Sequence, residues 1–189
     1  VHAKGQVASF HCESPMPPAE ILAKLRRYLP EDIGIYSCRE ASARFRARLN
    51  AREKTYVYRI WNSEAPCVFE RRFVTVMPEP LDVEAMNRAG ALLVGRHDFS
   101  AFCGNPKMKK STVRELYALT VTRQGEEIVL RFTGNGFLYN MVRILTGTLV
   151  EVGRQHRSPE SVTELFGAKR AQAGFLAPAQ GLCLEEVVY

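Results

Sequence analysis

Lys54-Thr55-Tyr56-Val57-Tyr58-Arg59-Ile60-Trp61 is the stretch on which the fold reading turns. It is rich in aromatic and β-branched residues, which suit the pleated, half-buried surface of a strand better than the crowded surface of a helix. Its alternation puts Tyr56 and Tyr58 on the same side. Working forward, Asp82 can cap a helix through Val94, with Val83, Met86, Ala89, Leu92 and Leu93 on one side and Gly95 past its end. Thr112 to Thr122 and Glu127 to Thr133 read as strands, and the short connection Arg123-Gln124-Gly125-Glu126 makes them a hairpin. A long helix is expected from Leu138 to Val152, where Leu138, Val142, Leu145, Leu149 and Val152 recur at 4-3-4-3 spacing. Ser158-Pro159 starts a further helix, and Leu182 to Tyr189 ends the chain as a strand.

This order predicts an α+β fold containing a ferredoxin-like βαββαβ unit, an antiparallel sheet with helices on one face. Working backward, Gln6 to His11 alternates as a short strand. Pro17-Pro18 leads into a helix over Ala19 to Tyr28, which Pro30 closes, and Ile33 to Cys38 reads as another strand. That β-α-β matches the back half of a second similar unit. The expected division is therefore residues 1–49, the remnant of an N-terminal subdomain, and residues 50–189, a C-terminal ferredoxin-like subdomain. The chain opens on Val1 in a strand approach and is read as a fragment.

Composition narrows the function classes. The 189 residues are 46% hydrophobic, enough to bury a core, and 26 Lys plus Arg against 20 Asp plus Glu give a net charge of +6. Such an excess attracts polyanions, and it is also compatible with ordinary surface charge. Cys12, Cys38, Cys67, Cys103 and Cys183 form no Cys-x-x-Cys, and the four histidines make no zinc-spaced cluster, so no metal is expected. Unpatterned thiols of odd number suit a reducing, cytoplasmic setting. No apolar run approaches the roughly 20 residues of a membrane span.

Several residues invite a chemical reading. Arg44, Arg46 and Arg48 recur at period two, so an extended backbone would give them one face and Phe45, Ala47 and Leu49 the other. Guanidiniums in a row bind successive phosphates, while the bland reading is a solvated edge strand. Lys107, Lys109, Lys110 and Arg114 form a second basic segment with the same two readings. Tyr56 beside a basic row could stack on an extruded base, although an aromatic on a strand is more often core. Arg143 falls off the apolar stripe of its helix and must reach solvent or an acidic partner. No internal nucleophile convinces: Asp32 sits in a turn, Asp82 reads as a cap, and Asp98 has no arranged base.

Six ordered segments then resemble one family. Val1 to Phe10, Phe45-Arg46-Ala47-Arg48, Lys54-Thr55-Tyr56-Val57-Tyr58, His97-Asp98-Phe99-Ser100-Ala101-Phe102, Gly136-Phe137-Leu138-Tyr139-Asn140-Met141-Val142-Arg143-Ile144-Leu145-Thr146-Gly147 and Gly181-Leu182-Cys183-Leu184 follow the order and spacing of TruA-type tRNA pseudouridine synthases. The resemblance implies a cofactor-free isomerisation of uridine in the tRNA anticodon stem-loop, at tRNA positions 38 to 40, by a homodimer whose tRNA contacts both subunits. In that family a Gly-Arg-Thr-Asp-Ala-Gly block supplies the nucleophilic aspartate, which would lie three residues before Val1. These 189 residues alone are then expected to be inactive. The resemblance assigns Tyr56 to the target base, Arg143 to the catalytic carboxylate and Arg48 to RNA at the cleft mouth. Arg46 replaces a usually smaller polar residue. The rival reading is a non-catalytic ferredoxin-like RNA-binding module.

Overall fold

A computed structural model describes all residues, Val1–Tyr189. It forms two compact units, one of Val1–Gln6 with Ala51–Tyr189 and the other of Val7–Asn50. The larger is a mixed α and β structure on a seven-stranded open sheet. Its strands are β1 (His2–Ala3), β2 (Glu53–Trp61), β3 (Thr75–Val76), β4 (Gly95–Asp98), β5 (Val113–Gln124), β6 (Glu127–Gly134) and β7 (Leu182–Val188). They lie in the order β1-β7-β2-β6-β5-β4, with β3 also on β2. The long strands pair antiparallel. Two further two-residue strands outside the expected unit's four, β1 and β3, join β7 and β2 in parallel.

The helices of the sequence are numbered α1 (Pro18–Tyr28), α2 (Val83–Leu92) and α3 (Met141–Gly153). Asp82 caps α2 by accepting from the Ala85 N–H at 2.8 Å. The helix stops at Leu92, short of Val94, and Gly95 at φ 113° turns the chain into β4. Helix α3 starts at Met141, later than the pattern suggested, because Asn140 adopts a left-handed φ of 60° that cannot continue a helical turn. The Ser158-Pro159 signal produces a short 3-10 helix, Glu160–Leu165.

In the Val7–Asn50 unit, α1 forms as expected, but its flanks do not. Residues 6–11 and 33–38 form no strand. Apolar alternation makes a strand only when a neighbour supplies the ladder. Instead, the Ile35 and Tyr36 carbonyls accept from the Arg26 guanidinium on α1, at 2.9 and 3.0 Å. The β-α-β expected for residues 1 to 40 is therefore a helix whose flanks at residues 6–11 and 33–38 form no strand.

One core joins sheet and helices in the larger unit. Tyr58, Ile60, Leu130, Phe132, Leu119 and Val121 from the strands meet Met86 and Ala89 of α2 and Ile144, Leu145 and Leu149 of α3. Helix α3 is buried almost all round, as an apolar helix should be. Its two buried threonine hydroxyls stay satisfied, Thr146 on the Val142 carbonyl and Thr148 on the Ile144 carbonyl, both at 2.9 Å.

A strap formed by residues 173–178 covers the far side of α3. A Cβ at Gly147 would overlap the Phe175 carbonyl, and one at Gly174 would strike the Thr148 backbone. The Gly174 N–H donates to the Thr148 hydroxyl at 2.9 Å. Glycine weakens a helix interior by about 1 kcal/mol relative to alanine, so close approach is what Gly147 provides. Gly147→Ala should lower stability by about 3 kcal/mol through overpacking. Urea unfolding checks this, and an unchanged midpoint would refute close strap packing.

Candidate active site

The strap delivers two neighbouring carbonyls to two side chains. Arg143, in the first turn of α3, donates its Nε–H to the Ala177 carbonyl at 2.6 Å, and the Ala177 N–H donates back to the Arg143 carbonyl at 3.2 Å. Its Nη1 reaches Asn140 Oδ1 at 3.3 Å. The ion pairs of the chain do not include Arg143, so its outer N–H groups have no carboxylate partner within it. The side chain is half-buried, between the two outcomes that its sequence position allowed.

Tyr58, on β2, is fully buried, and its hydroxyl donates to the adjacent Pro178 carbonyl at 2.8 Å. One hydroxyl has one proton, so the Thr75 hydroxyl, 2.7 Å away, must be the donor to Tyr58. Burial pushes the Tyr58 phenol up to about 12, partly offset by the Thr75 hydrogen bond and the positive charge of Arg143. That electrostatic effect ties Tyr58 and Arg143 to one locality.

Tyr56 lies two residues earlier on the same face of β2, across from Phe132 on β6 and Leu184 on β7. Its ring is half-buried and meets Phe137 edge-on, with centroids 5.1 Å apart at 82°. Burial alone raises its pKa; no hydrogen bond contributes. The contrast with Tyr58 is chemical: one phenol is locked into the fold, and the other keeps an uncommitted hydroxyl.

The arginine row departs from its expected shape. Residues 43–44 and 47–49 form turns, so Arg44, Arg46 and Arg48 do not follow an extended strand, although all three are exposed. Asn50 Oδ1 accepts from the Arg46 N–H at 2.7 Å, and the Arg46 guanidinium folds back on the Ala43 and Phe45 carbonyls at 2.9 and 3.0 Å. Local side-chain to backbone bonds compete with extended structure in this way. Arg46 thereby stabilises its own turn.

Comparison with known proteins places the chain in a family. Residues 89–189 match the family described as tRNA pseudouridine synthase. The chain is 44% identical over 190 residues to tRNA pseudouridine synthase A of Brevibacillus brevis, covering 100% of this chain and 78% of that protein. Identity is 42% to tRNA pseudouridine synthase A 2 of Bacillus anthracis and 43% to tRNA pseudouridine synthase A of Pelobacter propionicus, with the same coverages. The chain belongs to the TruA-type tRNA pseudouridine synthases.

Within this TruA-type chain, all three aspartates occupy structural or turn positions. Asp82 caps α2, and Asp32 lies in the turn after α1. Asp98 accepts from the Thr112 hydroxyl at 2.6 Å and the Ser100 N–H at 3.0 Å. Its neighbour His97 stacks on Phe166 at 3.9 Å, so the His97-Asp98-Phe99 segment braces β4. Sequence reasoning missed Tyr58 as an anchor near Arg143, and it missed Asn140 and Ala177 as the partners that orient Arg143. Tyr58 had a signal in its two-residue offset from Tyr56; a backbone carbonyl such as that of Ala177 had none.

The raised Tyr58 pKa links stability to pH. The unfolded phenol ionises near its ordinary 10, whereas the folded one resists to about 12, so stability is full below 10 and falls as pH rises toward 12. Unfolding between about pH 9 and about pH 12, followed by tyrosinate absorbance, should show this fall. Tyr58→Phe should flatten it, and an equal slope in that variant would remove Tyr58 as the cause.

Proposed function

We propose that the protein isomerises uridine to pseudouridine in tRNA, at the anticodon stem-loop, with Arg143 holding the nucleophilic carboxylate. The observation that carries this reading is a half-buried guanidinium oriented by Ala177 and Asn140, with no acidic partner among these 189 residues. Such a group favours an incoming carboxylate in its ionised form. The carboxylate would come from outside these residues, and the 189 residues alone would bind RNA without turnover. Strand β1 supports this route: His2 lies level with Cys183, which lies level with Val57, so β1 enters at the level of Tyr56 and Tyr58 with β7 between.

In this mechanism the carboxylate adds to the extruded nucleotide and the C1'–N1 bond breaks. The uracil turns, C5 bonds to C1', the bond to the carboxylate breaks and returns it to the enzyme as the free anion, and the C5 proton leaves as N1 gains one. Atoms and electrons balance without a cofactor, consistent with an isomerisation. Tyr56 packs on the target base. Burial keeps its phenol neutral, so it offers a ring face and a hydroxyl that relays the C5 proton, not a phenolate base.

The fold reading belongs to the same proposal. The long strands in the order β7-β2-β6-β5, all antiparallel, support a ferredoxin-like unit in residues 50–189, with residues 1–49 as the remnant of a catalytic subdomain. Exposed Arg44 and Arg48 would meet RNA phosphates, with Arg46 contributing less because it is engaged in its own turn. The family resemblance adds a homodimer acting in the cytoplasm. No helix is long and apolar enough to cross a membrane.

Tritium release from C5-labelled tRNA tests the mechanism in the full-length protein. Tyr56→Phe and Arg143→Ala should each cut release by about a hundredfold or more while tRNA binding survives. Wild-type turnover by the Arg143 variant would refute its role. No release by the unaltered protein, with binding intact, would favour the non-catalytic RNA-binding module.

A further inference from the structure

Between β2 and β3 the chain makes a turn, Val68-Phe69-Glu70-Arg71-Arg72-Phe73, in which every residue is exposed. Phe69 is 95% exposed, unusual for so large an apolar ring. The base of the turn is nevertheless fixed. Glu70 pairs with Arg59 on β2 at 2.8 Å, and the Phe73 N–H donates to the Glu70 carbonyl at 2.7 Å. The Phe73 ring rests on His2 of β1 at 4.7 Å, and the His2 Nε2 bonds the Arg72 carbonyl at 3.0 Å. Arg59 itself is held by Glu127 on β6 as well as by Glu70. The groups that face outward include the Phe69 ring and, with no acidic partner among the chain's ion pairs, the Arg71 and Arg72 guanidiniums.

We infer that this turn is a second RNA contact, in which Phe69 stacks on an unpaired base and Arg71 and Arg72 bind the flanking phosphates. The inference rests on the tRNA reading above but concerns a surface separate from Tyr56 and Arg143. An aromatic ring flanked by free cations is the combination that recognises single-stranded nucleic acid without reading sequence. A turn already anchored at Glu70, Arg72 and Phe73 loses little freedom on binding, which favours affinity. Charge argues against a second copy of this chain as the occupant. A two-fold contact centred on this turn would set Arg71 and Arg72 near their own counterparts, and the turn's only acid, Glu70, is already engaged by Arg59. A polyanion meets no such repulsion.

The test uses the full-length protein and an unmodified tRNA transcript. Phe69→Ala should weaken binding roughly tenfold, as loss of one stacked base does, and Phe69→Trp should restore it. Replacing Arg71 and Arg72 with alanine should lower the slope of log affinity against log salt by about 1 to 2. Tritium release at saturating tRNA should stay at the wild-type level in all these variants. Unchanged affinity and salt slope would overturn the inference while leaving the proposed catalysis intact. If Phe69→Ala instead converts a dimer to a monomer in sedimentation, and affinity falls only in step with that change, the turn is a protein interface and the inference is wrong. Failure of the unaltered protein both to bind tRNA and to release tritium would sink the proposed function and this inference together.

Discussion

The absent side chain at Gly147 lets the strap of residues 173–178 lie directly on α3, and the geometry of the site descends from that contact. With the strap seated, consecutive carbonyls reach different elements: Ala177 receives the Arg143 Nε–H from α3, and Pro178 receives the Tyr58 hydroxyl from β2. A short piece of irregular backbone thus locks a helix to the central strand. Any side chain at position 147 would lift both carbonyls together. Gly174 and the Thr148 hydroxyl hold the same contact from the other side.

The electrostatics follow from this packing. A guanidinium half-withdrawn from water and bonded along one edge cannot swing freely, and its outer N–H groups present a fixed fork. A planar fork matches a carboxylate better than a mobile lysine would. Tyr58 stays neutral close by, so it adds a rigid, uncharged wall without competing for the arginine. Tyr56, lacking such a bond, is the phenol whose hydroxyl remains open to a substrate.

Much of the larger unit was legible in the sequence because its signals were local and repeated. The aromatic alternation of Lys54 to Trp61, the Asp82 cap and the stripe from Val142 to Val152 each specify an element by their own chemistry and burial. The smaller unit misled where a pattern needed a partner: residues 6–11 and 33–38 alternate correctly, but no neighbouring strand ladders them, and Arg26 takes the carbonyls instead. The arginine row failed for a related reason. Period two describes side chains only if the backbone is extended, and Asn50 and Arg46 stabilise turns there. At the site, residue identities pointed to Tyr56 and Arg143, whereas the groups that orient Arg143 include a backbone carbonyl about thirty residues away, which no residue pattern encodes.

The strap fixes the Arg143 guanidinium in place before any carboxylate arrives. Hydrogen exchange of the Arg143 Nε–H, followed by nitrogen-15 NMR, tests it most directly. This proton should exchange slowly in the unaltered protein and at the rate of a free arginine in Gly147→Ala. Fast exchange in the unaltered protein, matching that of its exposed arginines, would mean that the strap does not hold the guanidinium.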